Sequence, residues 1–560
     1  MTGILALGIL GIVLIATADV LAPKLRTASP LLLVLIGFAL SLVPGIGHVH
    51  IDPDLILEGI LPPLLYASAV SMPSMSFRRE FGAISGLSVI LVVLTSLVLG
   101  GLFALLLPDI GFAWGVALGA VVSPTDAVAT SIIRGGGVPR RAVVLLEGEG
   151  LLNDATALVL LRTAIVAGAA TFSLWGAIGS FVWAILSAVV LGTVAAVVVL
   201  KVRRRLQEPT LDTLIAFTAP FLASIPTELV GGSGLVAAVI AGLITGAWGP
   251  RMIPPRHRMS NSVNWAVVTM VLESGIFLLM GVQLSGIIRS VSARENGLLA
   301  AVGIAVLALV VVLLVRTAFM APLLRSLHER ARRGAAMQPQ LQAWQERMEQ
   351  HDPSTLSLLL GPEDPRRRST REKFVRHQRE RFATRVRRGL ADVDYLLAHP
   401  LGPREGAIVV WAGMRGAVTV AAAQTLPSEA PHRELLIFIA FAVATASLLV
   451  QGGTIGPLAS RLFPAADPAE ESSLDEERTQ VKELAARAAA EVEDPSTDHP
   501  DGADGTSTPE GRYSLRIRRL EAARAALLDA RDDGIFDAEV LSAALVRLDA
   551  EQVALETFQR

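Results

Sequence analysis

The stretch Glu147-Gly-Glu-Gly-Leu-Leu-Asn-Asp154 sets three carboxylates and an amide inside a run that otherwise reads as a membrane-spanning helix. Counting from Arg141 at about 1.5 Å per residue, Asp154 lies roughly 20 Å along that helix, past the middle of a hydrocarbon core about 30 Å thick. A carboxylate at such depth costs roughly 2.5–3.5 kcal/mol even on insertion scales, so its presence points to an ion or proton pathway.

Composition agrees with a membrane setting. Of 560 residues, 52% are hydrophobic and only 18% charged, and the mean hydropathy is +0.54, values that place the chain among polytopic membrane proteins. The formal charge of −2 averages apolar spans against a basic insert and an acidic tail, so charge is informative only locally. The absence of Cys excludes disulfides, thiolate catalysis and Cys-based zinc sites. The first apolar run, 3–22, has no basic leader and no small-residue cleavage site, and reads as a retained span rather than a signal peptide.

Apolar runs fall at 3–22, 28–47, 54–73, 82–107, 112–133, 142–169, 174–200, 210–227, 232–247, 265–287, 297–323, 406–426 and 434–460, which gives about thirteen expected transmembrane helices. Basic residues test the count, because alternate loops should differ in Lys and Arg. Lys24 and Arg26, Arg78 and Arg79, Arg134, Arg140 and Arg141, Lys201 with Arg203, Arg204 and Arg205, and Arg251, Arg256 and Arg258 fill the odd loops, whereas the first four even loops have none. The N-terminus is therefore expected outside and the C-terminus in the cytoplasm.

The expected organisation is a transmembrane domain over 1–324 and 405–462, interrupted by a basic cytoplasmic insert over 325–404. An acidic disordered linker, 463–512, follows, and a cytoplasmic helical hairpin, 513–560, closes the chain. The Arg-rich stretch 366–388 of the insert reads as a solvated, partly helical segment, with contact to anionic lipid headgroups as the alternative. No nucleic-acid module accompanies it, so no nucleic-acid partner is expected. Asp537 is a candidate N-cap for the last helix.

Two spans carry breaks. In the fifth, Ser123-Pro-Thr-Asp126 interrupts an apolar stretch, and Pro124 removes a backbone donor. Within lipid, broken helices are tolerated where protein or a water-filled cavity satisfies the freed groups, and those groups are ligands for a desolvated cation. The twelfth repeats the theme with Gly413-Met-Arg-Gly416, and paired interruptions point to an inverted-repeat transporter with its site at the midplane. Arg415 reads as the charge of a polar counter-helix that offsets converging backbone dipoles. On the sixth span Glu149, Gly150, Asn153 and Asp154 occupy neighbouring strips of one face. Arg316 of the eleventh span matches Glu149 in depth at roughly 12 Å and is its expected partner in a structural ion pair. Glu273 of the tenth span lies at a similar depth and is the rival.

These motifs, in order, resemble the cation/proton antiporter-1 family of Na+/H+ exchangers in its bacterial form. The resemblance covers most of 1–462 outside the insert. It is carried by Ser123-Pro-Thr-Asp126, Glu147 to Asp154, Glu273 with Phe277 and Gly281-Val-Gln283, Gly413-Met-Arg-Gly416-Ala and Val450-Gln-Gly452. It implies an all-α polytopic homodimer in which spans 1–6 and 8–13 are inverted six-helix repeats and the discontinuous spans five and twelve cross. It further implies that Asp154 carries Na+ or a proton in turn, with Asn153 in place of the second aspartate of electrogenic relatives. Thr125 would offer its carbonyl, Asp126 its side chain or a water, and Glu149 would pair with Arg316. Many members have Ser where Gly150 stands, and several have Glu near Ala67; the loss of these oxygens bears on ion preference.

The expected activity is electroneutral Na+/H+ antiport across the bacterial inner membrane, serving pH homeostasis and needing no cofactor. The alternatives are K+/H+ or broad Na+(Li+,K+)/H+ exchange, a tail-gated cation channel, and an intramembrane aspartyl protease using Asp126 and Asp154. The last lacks the Gly-x-Gly-Asp signature.

Overall fold

Long apolar segments in hydrocarbon must satisfy their own backbone N–H and C=O groups, and coiling into helices does so within one segment. The computed structural model describes residues 2–25, 27–43, 54–126, 128–134, 137–169, 174–292, 297–349, 368–464, 468–492 and 509–558, and among them there are helices and no strands. The chain divides into a membrane unit, Met1–Leu323 with Pro403–Ala466, and a second unit, Leu324–Gly402 with Asp467–Arg560.

The membrane unit begins with α1 (Thr2–Leu25), α2 (Ser29–Ser41), α3 (Leu61–Ser71, entered through a π-helical turn at Leu55–Ile60) and α4 (Ser74–Ser85). A second π-helical turn, Gly86–Ile90, leads α4 into α5 (Leu91–Leu106), and α6 (Gly111–Val122), α7 (Val128–Ile133) and α8 (Arg140–Ala169) follow. Next come α9 (Leu174–Arg203), α10 (Pro209–Leu229), α11 (Gly234–Met252), α12 (Pro255–Ser292) and α13 (Gly297–Glu349). Among the described residues, eight helices are long and apolar enough to cross a membrane, and Ser29–Ser41, Leu55–Ser71 and Pro108–Val122 are shorter apolar helices. Side chains such as Val190, Val194, Val306 and Leu314 are large, apolar and exposed, the arrangement expected where lipid rather than water is the neighbour.

Packing separates the helices of this unit into groups. α3, α9, α10 and α11 pack closely on one another, as do α2 and α12. α8 packs mainly on α6 and α4, and only lightly on α9, α11 and α3. Glycine sets the tightest approaches. A Cβ on Gly37 would lie 2.3 Å from the Leu278 carbonyl oxygen, and one on Gly281 would lie 2.3 Å from that of Val34, so α2 and α12 meet backbone to backbone. Gly242 and Gly246 bring α11 close to α3, since a Cβ on either would lie 2.6 Å from the carbonyl oxygen of Tyr66 or Val70.

After the insert, α14 (Arg368–Ala398) belongs to the second unit, whereas α15 (Pro403–Trp411), α16 (Ala417–Gln424), α17 (Arg433–Ser447) and α18 (Gly453–Leu462) return to the membrane unit. The second unit also contains α19 (Pro468–Ala490), α20 (Pro509–Asp533) and α21 (Ala538–Phe558). The expectation of a disordered linker over 463–512 is corrected here, because Pro468–Ala490 is helical. Its acidic composition hides a stripe, Leu474, Val481 and Leu484, that packs on Leu527, Leu528, Val540 and Leu541 of the following helices. Residues 493–508 of that segment lie outside the described residues. The Asp537 carboxylate accepts the N–H groups of Glu539 and Val540 at 2.9 and 3.3 Å, capping α21. Of the basic stretch 366–388, positions 366 and 367 lie outside the described residues, and Arg387 reaches Asp533 at 3.2 Å.

Candidate ion-binding site

Both expected breaks are present, and they meet. α6 ends at Val122 ahead of Pro124, and the chain resumes helix at Val128. α15 ends at Trp411 and α16 begins at Ala417. Between them the Asp126 N–H donates to the Met414 carbonyl at 2.7 Å, a bond from one interrupted segment to the other. A Cβ on Gly416 would fall 1.3 Å from Asp126 Oδ2, so the Asp126 side chain lies directly on the bare backbone of the second break. Asp126 Oδ1 also accepts the Val128 N–H at 3.1 Å at the start of α7.

A helix that stops inside a membrane leaves its last carbonyls without partners. Arg415, 1% exposed, supplies them. Its Nε donates to the Val122 carbonyl at 3.0 Å, Nη2 reaches that of Ser123 at 3.5 Å, and Nη1 donates to that of Gly413. The Arg415 N–H is held by Ser447 Oγ at 3.0 Å, and Ser447 bonds Gln451, whose amide donates to the Trp411 carbonyl.

On α8, Glu149 takes both arms of the Arg316 guanidinium, Nη1 to Oε1 at 2.5 Å and Nη2 to Oε2 at 2.7 Å. Thr125 Oγ1 adds a bond to Oε1 at 2.9 Å, and Arg316 also donates to the Val409 carbonyl at the end of α15. Of the two carboxylates at matching depth, Glu149 is thus the one in contact with Arg316. Gly413 leaves the space in which Arg316 lies, because a Cβ there would come within 2.6 Å of Nε.

Asn153, fully buried, donates through Nδ2 to the Thr125 carbonyl at 3.0 Å and to Thr125 Oγ1 at 2.8 Å. A backbone carbonyl accepts only, so the amide nitrogen must face it and Oδ1 must point the other way. That oxygen is buried and has no hydrogen-bond partner among the described residues. Asp154 follows on the same face, half-buried, and has no hydrogen bond or ion pair among the described residues. Asp126 lies within electrostatic range of both Asp154 and Glu273, and Arg415 within range of Arg316 and Glu149. Among Asp126, Glu149, Asp154, Glu273, Arg316 and Arg415 the acids outnumber the bases by two, a balance that a site out of bulk water meets by taking up a cation or a proton.

Arg141 and Arg203, read from sequence as markers of basic loops, are buried and paired. Arg141 Nε bonds Glu80 at 2.6 Å, joining α8 to α4. Arg203 grips Asp212 through Nε and Nη2 at 2.9 and 2.8 Å; Asn261 bonds the same carboxylate, and His257 stands 3.8 Å away. The only sequence signal was proximity: Arg203 and Asp212 flank one short connection.

Residues 10–342 and 384–461 match the family described as sodium/hydrogen exchanger, transmembrane. The chain belongs to that family of ion-transporting membrane proteins. An exchanger of Mycobacterium tuberculosis, itself described as an uncharacterized Na+/H+ exchanger, is 27% identical over 97% of this chain and 94% of its own length. The low-affinity Na+/H+ antiporter NhaS1 of Synechocystis is 27% identical over 79% of this exchanger and 71% of itself. The solved sodium proton antiporter MjNhaP1 of Methanocaldococcus jannaschii, at 16% identity, superimposes with a TM-score of 0.54 over 83% of this exchanger and all of its own chain, a likeness of fold.

Proposed function

We propose that this exchanger moves one Na+ against one proton by alternating access, with Asp154 as the shared carrier. One observation carries the reading: an unpaired acid stands beside a buried, unpartnered Asn153 oxygen in a site with surplus negative charge. A single carboxylate holds a cation or a proton but not both, so the two compete, and desolvation favours each over the bare anion. Asn153 Oδ1 and Asp126 would complete the shell around the ion, and Thr125 positions Asn153. Glu149, locked to Arg316, and Arg415, spent on carbonyls, would hold the frame. Glu273 would be a second acid in the field of Asp126. We further propose a homodimer in the bacterial inner membrane with the N-terminus outside, working in pH homeostasis. The basic stretch 366–388 would meet anionic lipid.

The test is dissipation of a proton gradient in proteoliposomes by Na+, Li+ and K+ in turn. Wild-type should respond to Na+, and Asp154→Asn, purified and monodisperse, should lose the response while keeping its thermal stability, because the substitution removes a buried charge rather than stranding one. Wild-type rates in Asp154→Asn would overturn the carrier assignment, a response to K+ alone would replace Na+ as substrate, and single-channel currents would replace the carrier with a channel. One-for-one exchange predicts that a potential set by K+ and valinomycin leaves the steady-state Na+ gradient unchanged, whereas a potential-dependent gradient would require a second transported charge.

A further inference from the structure

A cavity of about 800 Å³ opens in the membrane unit where the C-terminal half of α8 faces the ends of α9, α10 and α11. Its wall is largely apolar, with Leu158, Ile225 and Leu235 among its residues, and its charged lining residues are Glu58, Arg162 and Glu228. Arg162 Nη1 donates to Glu228 Oε2 at 2.6 Å, and Glu228 Oε1 accepts the N–H of Gly234, the first residue of α11, at 3.0 Å. Glu228 is therefore anchored to α10 and α11, while its partner rides on α8.

The placement of this cavity ties it to Asp154. Asp154, Leu158 and Arg162 succeed one another at four-residue spacing, so they share one strip of α8, with Arg162 about 12 Å along the axis from Asp154. The cavity also lies where α8 packs only lightly on its neighbours. The helix ends around it are opposite those that carry Arg140, Arg203 and Arg251, which puts it on the outer side by the distribution of basic loops.

We propose that this cavity is the outer mouth of the path to Asp154, and that Glu228 sets its affinity for cations by cancelling the charge of Arg162. The inference rests on the exchange proposed above. An arginine beside a cation path repels the ion it should admit. With Glu228 paired to it and Glu58 nearby, the mouth carries one net negative charge and attracts a cation. Removal of either partner shifts that charge in opposite directions, a signature that a purely structural ion pair does not share.

The experiment measures KM and maximal rate for Na+ applied to each face in turn, using right-side-out and everted membrane vesicles. Glu228→Gln should raise KM for outer Na+ roughly twofold, the size of one charge acting over about 12 Å of hydrated space. Arg162→Gln should lower it by a similar factor, and the double substitution and Arg162→Lys should restore it. KM at the inner face should stay put throughout. KM shifts of the same sign in both single variants, shifts on both faces, or a loss of maximal rate alone would overturn the proposal. If wild-type shows no Na+-driven proton flux, the exchange reading falls and this inference with it; wild-type flux without the face-specific, opposite shifts removes this inference alone.

Discussion

The two interrupted segments are built from opposite materials. Ser123-Pro-Thr-Asp126 breaks its helix by removing a backbone donor and brings an acid to the crossing, whereas Gly413-Met-Arg-Gly416 breaks by shedding side chains and brings a base. Their charges meet different ends. Arg415 is consumed on the carbonyls of Val122, Ser123 and Gly413, while Asp126 stays in the field of Asp154 and Glu273. One break therefore shapes the electrostatics around Asp154 and the other satisfies the backbone that shaping exposes. The glycine break also has to be the thin one, since Asp126 lies where a Cβ of residue 416 would be.

The largest way to break this division is to strand the charge that frames both segments. Arg316→Ala leaves Glu149 buried without its cation and should cost about 3–5 kcal/mol, read as lost folded yield and a lowered unfolding temperature in detergent. The charge-swapped double variant should recover part of that loss; an unchanged unfolding temperature in Arg316→Ala would remove the pair from the frame. Next, Arg415→Lys keeps the charge of the second break but loses the planar fork that reaches several carbonyls together. A destabilisation of about 2 kcal/mol is expected from the charge-assisted bonds it gives up, measured by thermal unfolding. The sharpest comparison comes from Gly416→Ala. It adds one methyl against Asp126 and should slow exchange about tenfold, equivalent to about 1.4 kcal/mol. Gly453→Ala is the control, because nothing lies within 4 Å of a Cβ there, and it should exchange at the wild-type rate.

How far the molecule was legible in its residues depended on what each residue interrupted. Pro124 and the Gly413–Gly416 pair stand out because they contradict an apolar helix, so the breaks could be placed without coordinates. Glu149 and Arg316 could be brought to one level by counting turns, although choosing Glu149 over Glu273 needed the rotation of three helices about their axes. The knot of Arg203, Asp212, Asn261 and His257 was illegible because charged residues at helix ends are ordinarily solvated, and burial at such a place depends on which helices close over it. Arg141 misled for the same reason, since it served as a loop marker while bonded to Glu80. In α19 the error ran the other way: acidic composition suggested disorder, and a sparse stripe of Leu474, Val481 and Leu484 was enough to dock it.

The backbone contact between Gly37 and Gly281 joins residues about 240 positions apart, and translation at roughly 5–20 residues per second separates their emergence from the ribosome by about 10–50 s. For that interval α2 sits in the bilayer without the helix it fits most closely. Gly37 suits such a wait, because at the point of closest approach it presents neither a polar side chain to hydrocarbon nor an apolar knob to a wrong partner. Assembly of the membrane unit is thus ordered by synthesis, with the seam between α2 and α12 among the late joints to close. A chain stopped before α12 would be inserted yet unpacked, a ready substrate for membrane proteases rather than a smaller transporter.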